Sequence, residues 1–522
     1  MQTFSSLSRR QWLAGAATAL ISAPSIARAG VGVWGEAPVV RTPHGTVRGA
    51  SVNGALRFLG IPYGNAPGRF ERCVPAEWSG IRDALAFGPM SPQATGPREY
   101  TVPASEACQV LNIYTPALDG KPRPVMFWLH GGGFQSGSSS TDRFDGTGLA
   151  IAHDVVVVTI NHRLGALSAL RLDHIDPRFA DAGRVGMLDI IDALGWVQRS
   201  IGAFGGDPGR VMIFGQSGGG GKVMTMLAMP EACRLFHSAV IQSGTMRQTS
   251  VTLEEGEETT AKLMAALSLG ARDIDGLRAV PLERLLAAQA KLMEVRVQGL
   301  RPWSAVIDGR ALPEQPFGAH APACSAHIPI MVGSTTEEHR PFNLRRPELF
   351  SLDAAGARAE LLPILGERTD AALAAYRAAR PGASETDLYF ALSADEMYWS
   401  NSLRVAELAS KRQAPVYSFR FAFDPDRATR GAKPSPGAGH GSELAYIFRQ
   451  IPATASPAAR QVSELMSGAW ASLARTGDPN VKGRPQWRPY DVADRRTMVF
   501  DTVTKETPDA YRAERRWWEE RR

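Results

Sequence analysis

The chain has 522 residues, 44% of them hydrophobic and 21% charged, which is typical of a folded globular protein rather than a disordered one. Lysine and arginine (58) nearly balance the acids (52), and no basic stripe is interleaved with aromatic residues, so nucleic-acid binding is not expected. Four cysteines without C-x-x-C spacing do not support a metal knuckle, and no apolar stretch after the N-terminus is long enough to predict a membrane span.

The N-terminus predicts an export signal. Ser8-Arg9-Arg10-Gln-Trp-Leu13 resembles a twin-arginine motif, and an apolar run over Leu13–Ile21 follows it. Ala27-Arg-Ala29 then has the A-x-A pattern of a cleavage site. We therefore predict a signal peptide over residues 1–29, a single domain over 30–522, and export to the periplasm or to the medium.

A buried strand in the first third of the chain ends in a run of glycines. Val125–Leu129 is apolar without alternation, as in a strand that is covered on both faces, and His130-Gly-Gly-Gly-Phe134 follows it. Consecutive glycines let backbone N–H groups face a ligand without obstruction. We expect the amides of Gly132 and Gly133 to form part of an oxyanion hole. The alternative is an ordinary glycine turn.

Strands and helices alternate through the rest of the chain. This order predicts a mostly parallel central sheet flanked by helices, an α/β fold. Helices at 253–297 are expected to be insertions over the active site. The main predicted elements are the strand Val155–Ile160, the helix Gly186–Val197, the strand Val211–Phe214, the helix Val223–Met229, helices within Leu253–Val297, and the strands Ile328–Gly333 and Val416–Phe421.

The turn between two of these elements carries the strongest chemical signal. After the strand Val211–Phe214, Gly215-Gln-Ser-Gly-Gly219 matches G-x-S-x-G, and a helix follows. In such a nucleophile elbow the turn is so sharp that the residues flanking the serine must lack side chains. The hydroxyl of Ser217 then projects from the sheet, and the helix directs its first amides to the same place. Gly218 is accordingly expected to supply a third oxyanion donor.

Nine stretches carry distinctive motifs: Phe58–Tyr63, Arg69–Phe70, Trp78–Gly80, Leu111–Pro116, Asn161–Gly165, Phe204–Pro208, Trp303–Pro313, Gly439–Leu444 and Arg475–Asn480. Together they resemble the motifs of type B carboxylesterases, the cholinesterase-like α/β hydrolases. The resemblance implies the α/β-hydrolase fold and a serine carboxylic-ester hydrolase that needs no metal or organic cofactor. Its expected partner is a small to medium organic ester. A lipase, an amidase or a non-catalytic binding protein of the same fold are the alternatives.

The resemblance also assigns a catalytic triad. Gly333-Ser-Thr-Thr-Glu-Glu338 matches the family stretch whose last acid belongs to the triad, with Glu337 as the alternative. Gly439-His440-Gly-Ser-Glu-Leu matches the stretch of the triad histidine. The order Ser217, Glu338, His440 is the order that α/β hydrolases require. The implied mechanism passes through an acyl-enzyme, with the histidine as general base and the glutamate as its orienting partner.

Further positions follow from the same resemblance. Cys73 and Cys108 occupy the places of a family disulfide, with two buried thiols as the alternative. Cys233 and Cys324 match no family bond and are expected to be buried free thiols. Trp303 is a candidate wall of the acyl pocket, with a core tryptophan as the alternative.

Some residues near the site depart from the family pattern or add to it. Gln216 replaces the usual glutamate, so any preference for cationic alcohols should weaken. Ser243 is a rival nucleophile, but no glycine stands two positions before it, so we interpret it as a supporting hydroxyl near the site. Arg340, Arg345 and Arg346 either favour acidic esters or form a solvated surface.

Overall fold

A computed structural model describes residues 37–94, 101–246, 249–294, 303–429, 431 and 433–521. The predicted signal peptide at 1–29 lies outside the described residues, so neither it nor the domain boundary at residue 30 is tested. Within the described ranges, every helix is too short or too polar to cross a bilayer.

The strands and helices of the described residues agree closely in position with the predicted ones. The strands are β1 (Val39–Thr42), β2 (Gly45–Arg48), β3 (Ala50–Val52), β4 (Ala55–Pro62), β5 (Gly64–Asn65), β6 (Val74–Pro75), β7 (Ile81–Asp83), β8 (Val110–Thr115), β9 (Arg123–Leu129), β10 (Val156–Ile160), β11 (Gly206–Gln216), β12 (Ser238–Gln242), β13 (Ser250–Val251), β14 (Ala305–Val306), β15 (Ile330–Thr335), β16 (Val416–Phe421), β17 (Thr497–Phe500) and β18 (Lys505–Thr507). The helices are α1 (Thr147–His153), α2 (Val185–Ser200), α3 (Gly218–Ala228), α4 (Leu253–Ala266), α5 (Ile274–Ala279), α6 (Leu282–Glu294), α7 (Ala354–Leu365), α8 (Thr369–Ala379), α9 (Glu385–Ala394), α10 (Ser400–Ala409), α11 (Leu444–Ile447), α12 (Pro457–Thr476) and α13 (Arg512–Glu519).

Eleven of the described strands form one sheet, in the order β18-β17-β16-β15-β12-β11-β9-β10-β8-β4-β3. The strands from β17 to β10 are parallel to one another, and antiparallel strands close both edges. The predicted mostly parallel sheet is therefore confirmed. Because the carboxyl ends of parallel strands share one edge, the segments that follow β9, β11, β15 and β16 all leave the sheet on the same side.

Both faces of the sheet are covered by helices, which explains the uniformly apolar central strands. In β9, Val125, Phe127 and Leu129 pack into the core that contains α2, α3 and α10. Met126 and Trp128 alternate with them and pack into a second core with α1, α11 and α12. A strand with both faces buried has no polar positions, so its sequence shows no alternation.

The insertions outside the sheet form two further apolar clusters. α4, α5 and α6 confirm the predicted helices as far as Glu294 and pack into one cluster. α7, α8, α9 and the C-terminal α13 form the other. In the arginine-rich α13, Trp517 and Trp518 are buried, and the Trp518 indole donates to the Tyr376 hydroxyl at 2.7 Å. The two tryptophans therefore fasten this helix to α8.

The cysteine predictions were wrong. Cys73 and Cys108 are free thiols, and the Cys73 thiol donates to Asp189 Oδ1 at 3.0 Å instead of facing a second sulfur. The disulfide joins Cys233 and Cys324, whose Cα atoms are 6.2 Å apart. It ties the segment after α3 to the segment before β15, at the edge where the parallel strands begin and not at the edge that carries Ser217.

Candidate active site

The predicted elbow is present between β11 and α3. Ser217 has φ 60° and ψ −125°, a strained conformation for a residue with a side chain. A Cβ atom on Gly215 would lie 2.5 Å from the Gly219 carbonyl oxygen, and one on Gly219 would lie 2.1 Å from the Leu129 carbonyl oxygen. Both contacts are with backbone, so neither glycine can be replaced without moving the sheet.

The three predicted oxyanion donors lie together beside this serine. Gly132 and Gly133 have φ of 101° and 60°, which coil the glycine segment back towards the elbow. A Cβ atom on Gly131 would lie 3.3 Å from Ser217 Cβ, and one on Gly218 would lie 2.4 Å from the Gly133 nitrogen. Among the described residues, no protein acceptor is bonded to the N–H groups of Gly132, Gly133 or Gly218. These amides form a cluster of donors whose bonds are not made within the fold.

Glu338 and His440 form a direct hydrogen bond at the same edge of the sheet. The Nδ1 atom of His440 donates to Glu338 Oε2 at 2.5 Å. Glu338 Oε1 accepts from the Ser243 hydroxyl at 2.6 Å and from the Thr335 amide at 2.7 Å. Burial alone would raise the pKa of Glu338, but the His440 charge and these hydrogen bonds lower it overall. The carboxylate is therefore ionised at neutral pH and accepts the Nδ1–H hydrogen bond, so Nε2 is the ring nitrogen left for proton transfer.

The segment that carries His440 lies against the elbow. A Cβ atom on Gly441 would lie 3.7 Å from the side chain of Gln216, the neighbour of Ser217. The hydroxyl of Ser217 makes no hydrogen bond with His440 in this structure, although both residues are described. In a free enzyme such bonds are often long or poorly aligned, and they tighten when substrate binds. The backbone therefore brings the two residues into the same place without yet joining their side chains.

Glu337, the alternative acid, has a different role. Its Oε1 accepts from Arg340 Nε at 2.6 Å, and its Oε2 accepts from the Ala438 amide at 3.0 Å. The side chain thus fastens the segment that leads to His440 and does not contact the imidazole. The geometry favours Glu338 over Glu337 as the partner of His440.

The arginines after Glu338 are paired within the fold. Arg340 is buried, and its second nitrogen donates to Asp387 at 2.6 Å. Arg346 donates to Glu360 at 2.7 Å. A guanidinium that is already paired cannot bind an acidic ester without breaking its pair. Arg340 and Arg346 therefore do not support the hypothesis of an acidic substrate.

Aromatic side chains that the sequence analysis missed surround the imidazole. The ring centres of Phe342 and Tyr398 lie 4.9 and 5.0 Å from that of His440, and Phe342 is 60% exposed. Tyr398 belongs to a π-helical turn at Asp395–Trp399, a deviation that is frequent at functional sites. His339 packs on Tyr398, and burial lowers the pKa of His339 to about 4. No motif marks these residues, so only the fold reveals them.

Trp303 lies in the apolar cluster of α4–α6 and is 1% exposed. The φ of Trp303 is 80°, which marks a sharp turn at this residue. The residues before it, 295–302, lie outside the described ranges. This burial agrees with the alternative of a core tryptophan. A role of Trp303 in the acyl pocket stays a prediction.

Comparisons with known proteins agree with this geometry. Residues 36–517 match the carboxylesterase family. The chain is 32% identical over 486 residues to the para-nitrobenzyl esterase of Bacillus subtilis (strain 168), and the alignment covers 89% of this chain and 95% of that protein. The crystal structure of a Geobacillus stearothermophilus carboxylesterase at pH 6.2 superposes with a TM-score of 0.79 at 33% identity, covering 92% of this chain and 99% of the other.

A second solved structure has the same fold. It is an esterase from anaerobic Clostridium hathewayi that can hydrolyse aliphatic aromatic polyesters, and it superposes with a TM-score of 0.79 at 30% identity over 92% of this chain and 98% of that one. These neighbours confirm the predicted α/β-hydrolase fold. The chain therefore belongs to the carboxylesterase family and is an ester-hydrolysing enzyme.

Proposed function

We propose that this enzyme is a serine carboxylesterase that works through an acyl-enzyme. The observation that carries the proposal is the 2.5 Å hydrogen bond between Glu338 and His440, beside a strained serine and a cluster of unpaired amides. Ser217 is the proposed nucleophile, His440 the general base and acid, and Glu338 the group that orients the imidazole.

In the first half-reaction, Ser217 Oγ attacks the ester carbonyl and its proton passes to His440 Nε2. The carbonyl oxygen becomes an oxyanion, which the amides of Gly132, Gly133 and Gly218 stabilise. The imidazolium, held by Glu338, then gives its proton to the departing alcohol oxygen as the C–O bond breaks. A serine ester of the acid remains.

In the second half-reaction, water replaces the alcohol. His440 takes a proton from the water as its oxygen attacks the acyl carbon, and the same amides hold the new oxyanion. The proton then returns to Ser217 Oγ as the acyl bond breaks, which releases the acid. The resting state is restored, and every proton is accounted for by the histidine.

The proposed substrates are small to medium uncharged organic esters. Phe342 and Tyr398 offer apolar ring surfaces next to His440, and Gln216 contributes no charge beside the nucleophile. The name of one relative, the para-nitrobenzyl esterase, agrees with an uncharged aromatic ester. A series of p-nitrophenyl esters tests this: we expect the highest kcat/KM with short to medium acyl chains, whereas a preference for emulsified long chains would favour a lipase.

We also propose that the enzyme is exported. The twin-arginine pattern and the A-x-A site at Ala27–Ala29 support this, and a disulfide such as Cys233–Cys324 persists in oxidising compartments. The N-terminal mass of protein recovered from the periplasm or the medium is the test. We expect a mature start at Gly30, and an intact Met1 would contradict export by this route.

The mechanism is tested by rapid mixing with p-nitrophenyl acetate. We expect a burst of p-nitrophenol that equals the enzyme concentration, because acylation precedes hydrolysis of the acyl-enzyme. Ser217→Ala should abolish the burst and lower kcat by roughly 10⁴-fold or more. Ser243→Ala is the matched control, since it removes the rival hydroxyl and should keep the burst. A burst that survives in Ser217→Ala and disappears in Ser243→Ala would reverse the assignment.

A further inference from the structure

A fully buried lysine contacts both ends of the oxyanion segment. Lys222 lies in α3, on the turn that follows Ser217, and is 0% exposed. Its ammonium donates to the His130 carbonyl oxygen at 2.9 Å and lies 5.6 Å from the centre of the Phe134 ring. His130 and Phe134 are the residues immediately before and after Gly131–Gly133. One side chain thus spans the segment that presents the oxyanion amides.

No carboxylate compensates this charge within the described residues. The titratable groups that face Lys222 are His130 and His162, whose rings stack at 5.0 Å. Each Nδ1 donates to a carbonyl oxygen at 2.8 Å. Burial and the nearby Lys222 charge hold the pKa of both histidines well below the ordinary value, so both rings are neutral.

The position of Lys222 is unfavourable for the stability of the fold. A buried ammonium without a carboxylate loses most of its hydration energy, and burial lowers the pKa of Lys222 to about 7. The unfolded-state pKa is about 10.4, so the unfolded chain binds more protons between these values. The charged lysine therefore destabilises the fold most at pH below about 7, and this effect disappears as the pH rises towards 10. An apolar side chain of similar length would be more stable there.

We propose that Lys222 is a positioning residue for the oxyanion hole, a role that rests on the proposed function. Through the His130 carbonyl and the Phe134 ring it fixes the glycine segment against α3. Its positive charge also lies behind the amides at which negative charge develops in the transition state. Lys222 does not touch substrate; it acts through the backbone of Gly132 and Gly133.

The test compares Lys222→Met with Thr225→Val. Methionine keeps the length and removes the donor and the charge. Thr225 is the matched control, because it is buried in the same helix but donates to the Gly221 and Thr249 carbonyls. The measurements are kcat and KM with p-nitrophenyl acetate, the melting temperature at pH 6, and the inhibition constant of an aryl trifluoromethyl ketone. Ser217 Oγ adds to that ketone, its proton passes to His440, and the ketone oxygen becomes an oxyanion in the hole.

We expect Lys222→Met to lower kcat about tenfold and to raise the ketone inhibition constant by a similar factor, with KM within about twofold of wild type. Its melting temperature at pH 6 should equal or exceed that of wild type. The ratio of wild-type to variant kcat should be larger at pH 6 than at pH 8.5, because the charge is lost as the lysine deprotonates. Thr225→Val should change kcat and the inhibition constant by less than about twofold.

Other outcomes overturn the proposal. An unchanged kcat and inhibition constant in Lys222→Met would show that the lysine does not act on the hole, and a loss of activity that parallels a lower melting temperature would show a structural role. Lys222→Gln, which keeps an N–H donor for the His130 carbonyl, should recover part of kcat, and failure of both variants to fold would also exclude the proposed role. If Ser217→Ala remains active, the proposed function itself fails, and that result is independent of the Lys222 variants.

Discussion

The two halves of the active site are built in different ways. The nucleophile is positioned, and its oxyanion donors are supplied, by glycines and backbone groups at the ends of β9 and β11. The glutamate–histidine pair comes from side chains 102 residues apart, joined by hydrogen bonds after β15 and β16. In the first half the backbone is packed so closely that a methyl group added to one of the glycines would collide with a backbone atom. The second half depends on charge and on donors that point in the right direction.

This difference determines how each half should respond to substitution. In the glycine half, adding one carbon should disrupt the fold of the sheet edge itself. In the side-chain half, removing one donor should leave the fold intact and reduce the rate by a moderate factor. The following substitutions probe the two halves in order of decreasing effect.

Gly219→Ala should have the largest effect. The new Cβ would lie 2.1 Å from the Leu129 carbonyl oxygen, which is fixed in the centre of the sheet. We expect little soluble protein and at least about a 100-fold loss of specific activity, because the elbow must move. Gly202→Ala is the control, since a Cβ there meets nothing within 4 Å. The measurements are the soluble yield and the specific esterase activity of both variants. A fully active Gly219→Ala enzyme would contradict the elbow geometry.

Ser243→Ala should have an intermediate effect. It removes the hydroxyl that donates to Glu338 Oε1 at 2.6 Å, while the Thr335 amide still donates to the same oxygen. We expect kcat to fall about tenfold with little change in KM, because the carboxylate is held less firmly. Steady-state kinetics check this, and an unchanged kcat would show that the hydroxyl does not support the pair.

The same variant should unfold more readily in acid. The pKa of Glu338 is lower in the folded state than its ordinary value, so this group stabilises the fold above that value and the contribution is lost as the pH falls through the folded-state pKa. Removing the Ser243 donor raises the folded-state pKa, so acid unfolding should begin at a higher pH than in wild type. Circular dichroism against pH measures the midpoint.

Glu443→Gln should have the smallest effect on rate and a visible effect on stability. Burial, and then the neighbouring Glu338 charge, raise the pKa of Glu443 to about 7. The folded state keeps this proton between about pH 4.3 and 7, so the stability of wild type falls as the pH rises through that window. The neutral amide avoids this loss and can still accept from Gln242 Nε2, which lies 3.2 Å from Glu443 Oε1.

The expected result is a melting temperature above that of wild type at pH 8 and nearly equal to it at pH 5, with kcat within about twofold. Thermal melts at the two pH values are the measurement. A lower melting temperature at pH 8 would mean that the ionised Glu443 stabilises the site rather than opposing it.

The same contrast explains which parts of the site the sequence could predict. The elbow and the glycine segment are contiguous motifs, and the structure has them side by side at the ends of β11 and β9. The bounds of β16 at Val416–Phe421 agree to the residue with the predicted strand. β11 begins at Gly206, earlier than the predicted Val211, because Gly206 also pairs with β9. The two parts of the strand are separated by a bulge that the hydrophobic pattern of the sequence does not indicate. Local geometry is encoded by adjacent residues, whereas irregular pairing is not.

The side-chain half was less accessible from the sequence. Glu337 and Glu338 are adjacent acids, so the resemblance favoured Glu338 but kept Glu337 as the alternative. The fold shows that Glu338 accepts from His440 whereas Glu337 accepts from Arg340. The cysteine pairing that the resemblance implied was wrong for a similar reason, since a matching position in the sequence does not tell where a thiol points. Lys222 carried no recognised motif beyond the glycines before it, and its importance depends on what surrounds it after folding.

The central claim is that Ser217, and no other hydroxyl, is activated by the pair of His440 and Glu338. A phosphonate ester that reacts with activated serines, followed by peptide mass spectrometry, tests this most directly. We expect one adduct per chain, located on the peptide that contains Ser217, and no adduct in His440→Ala. An adduct on Ser243, or labelling of Ser217 that persists at the wild-type rate without His440, would contradict the account.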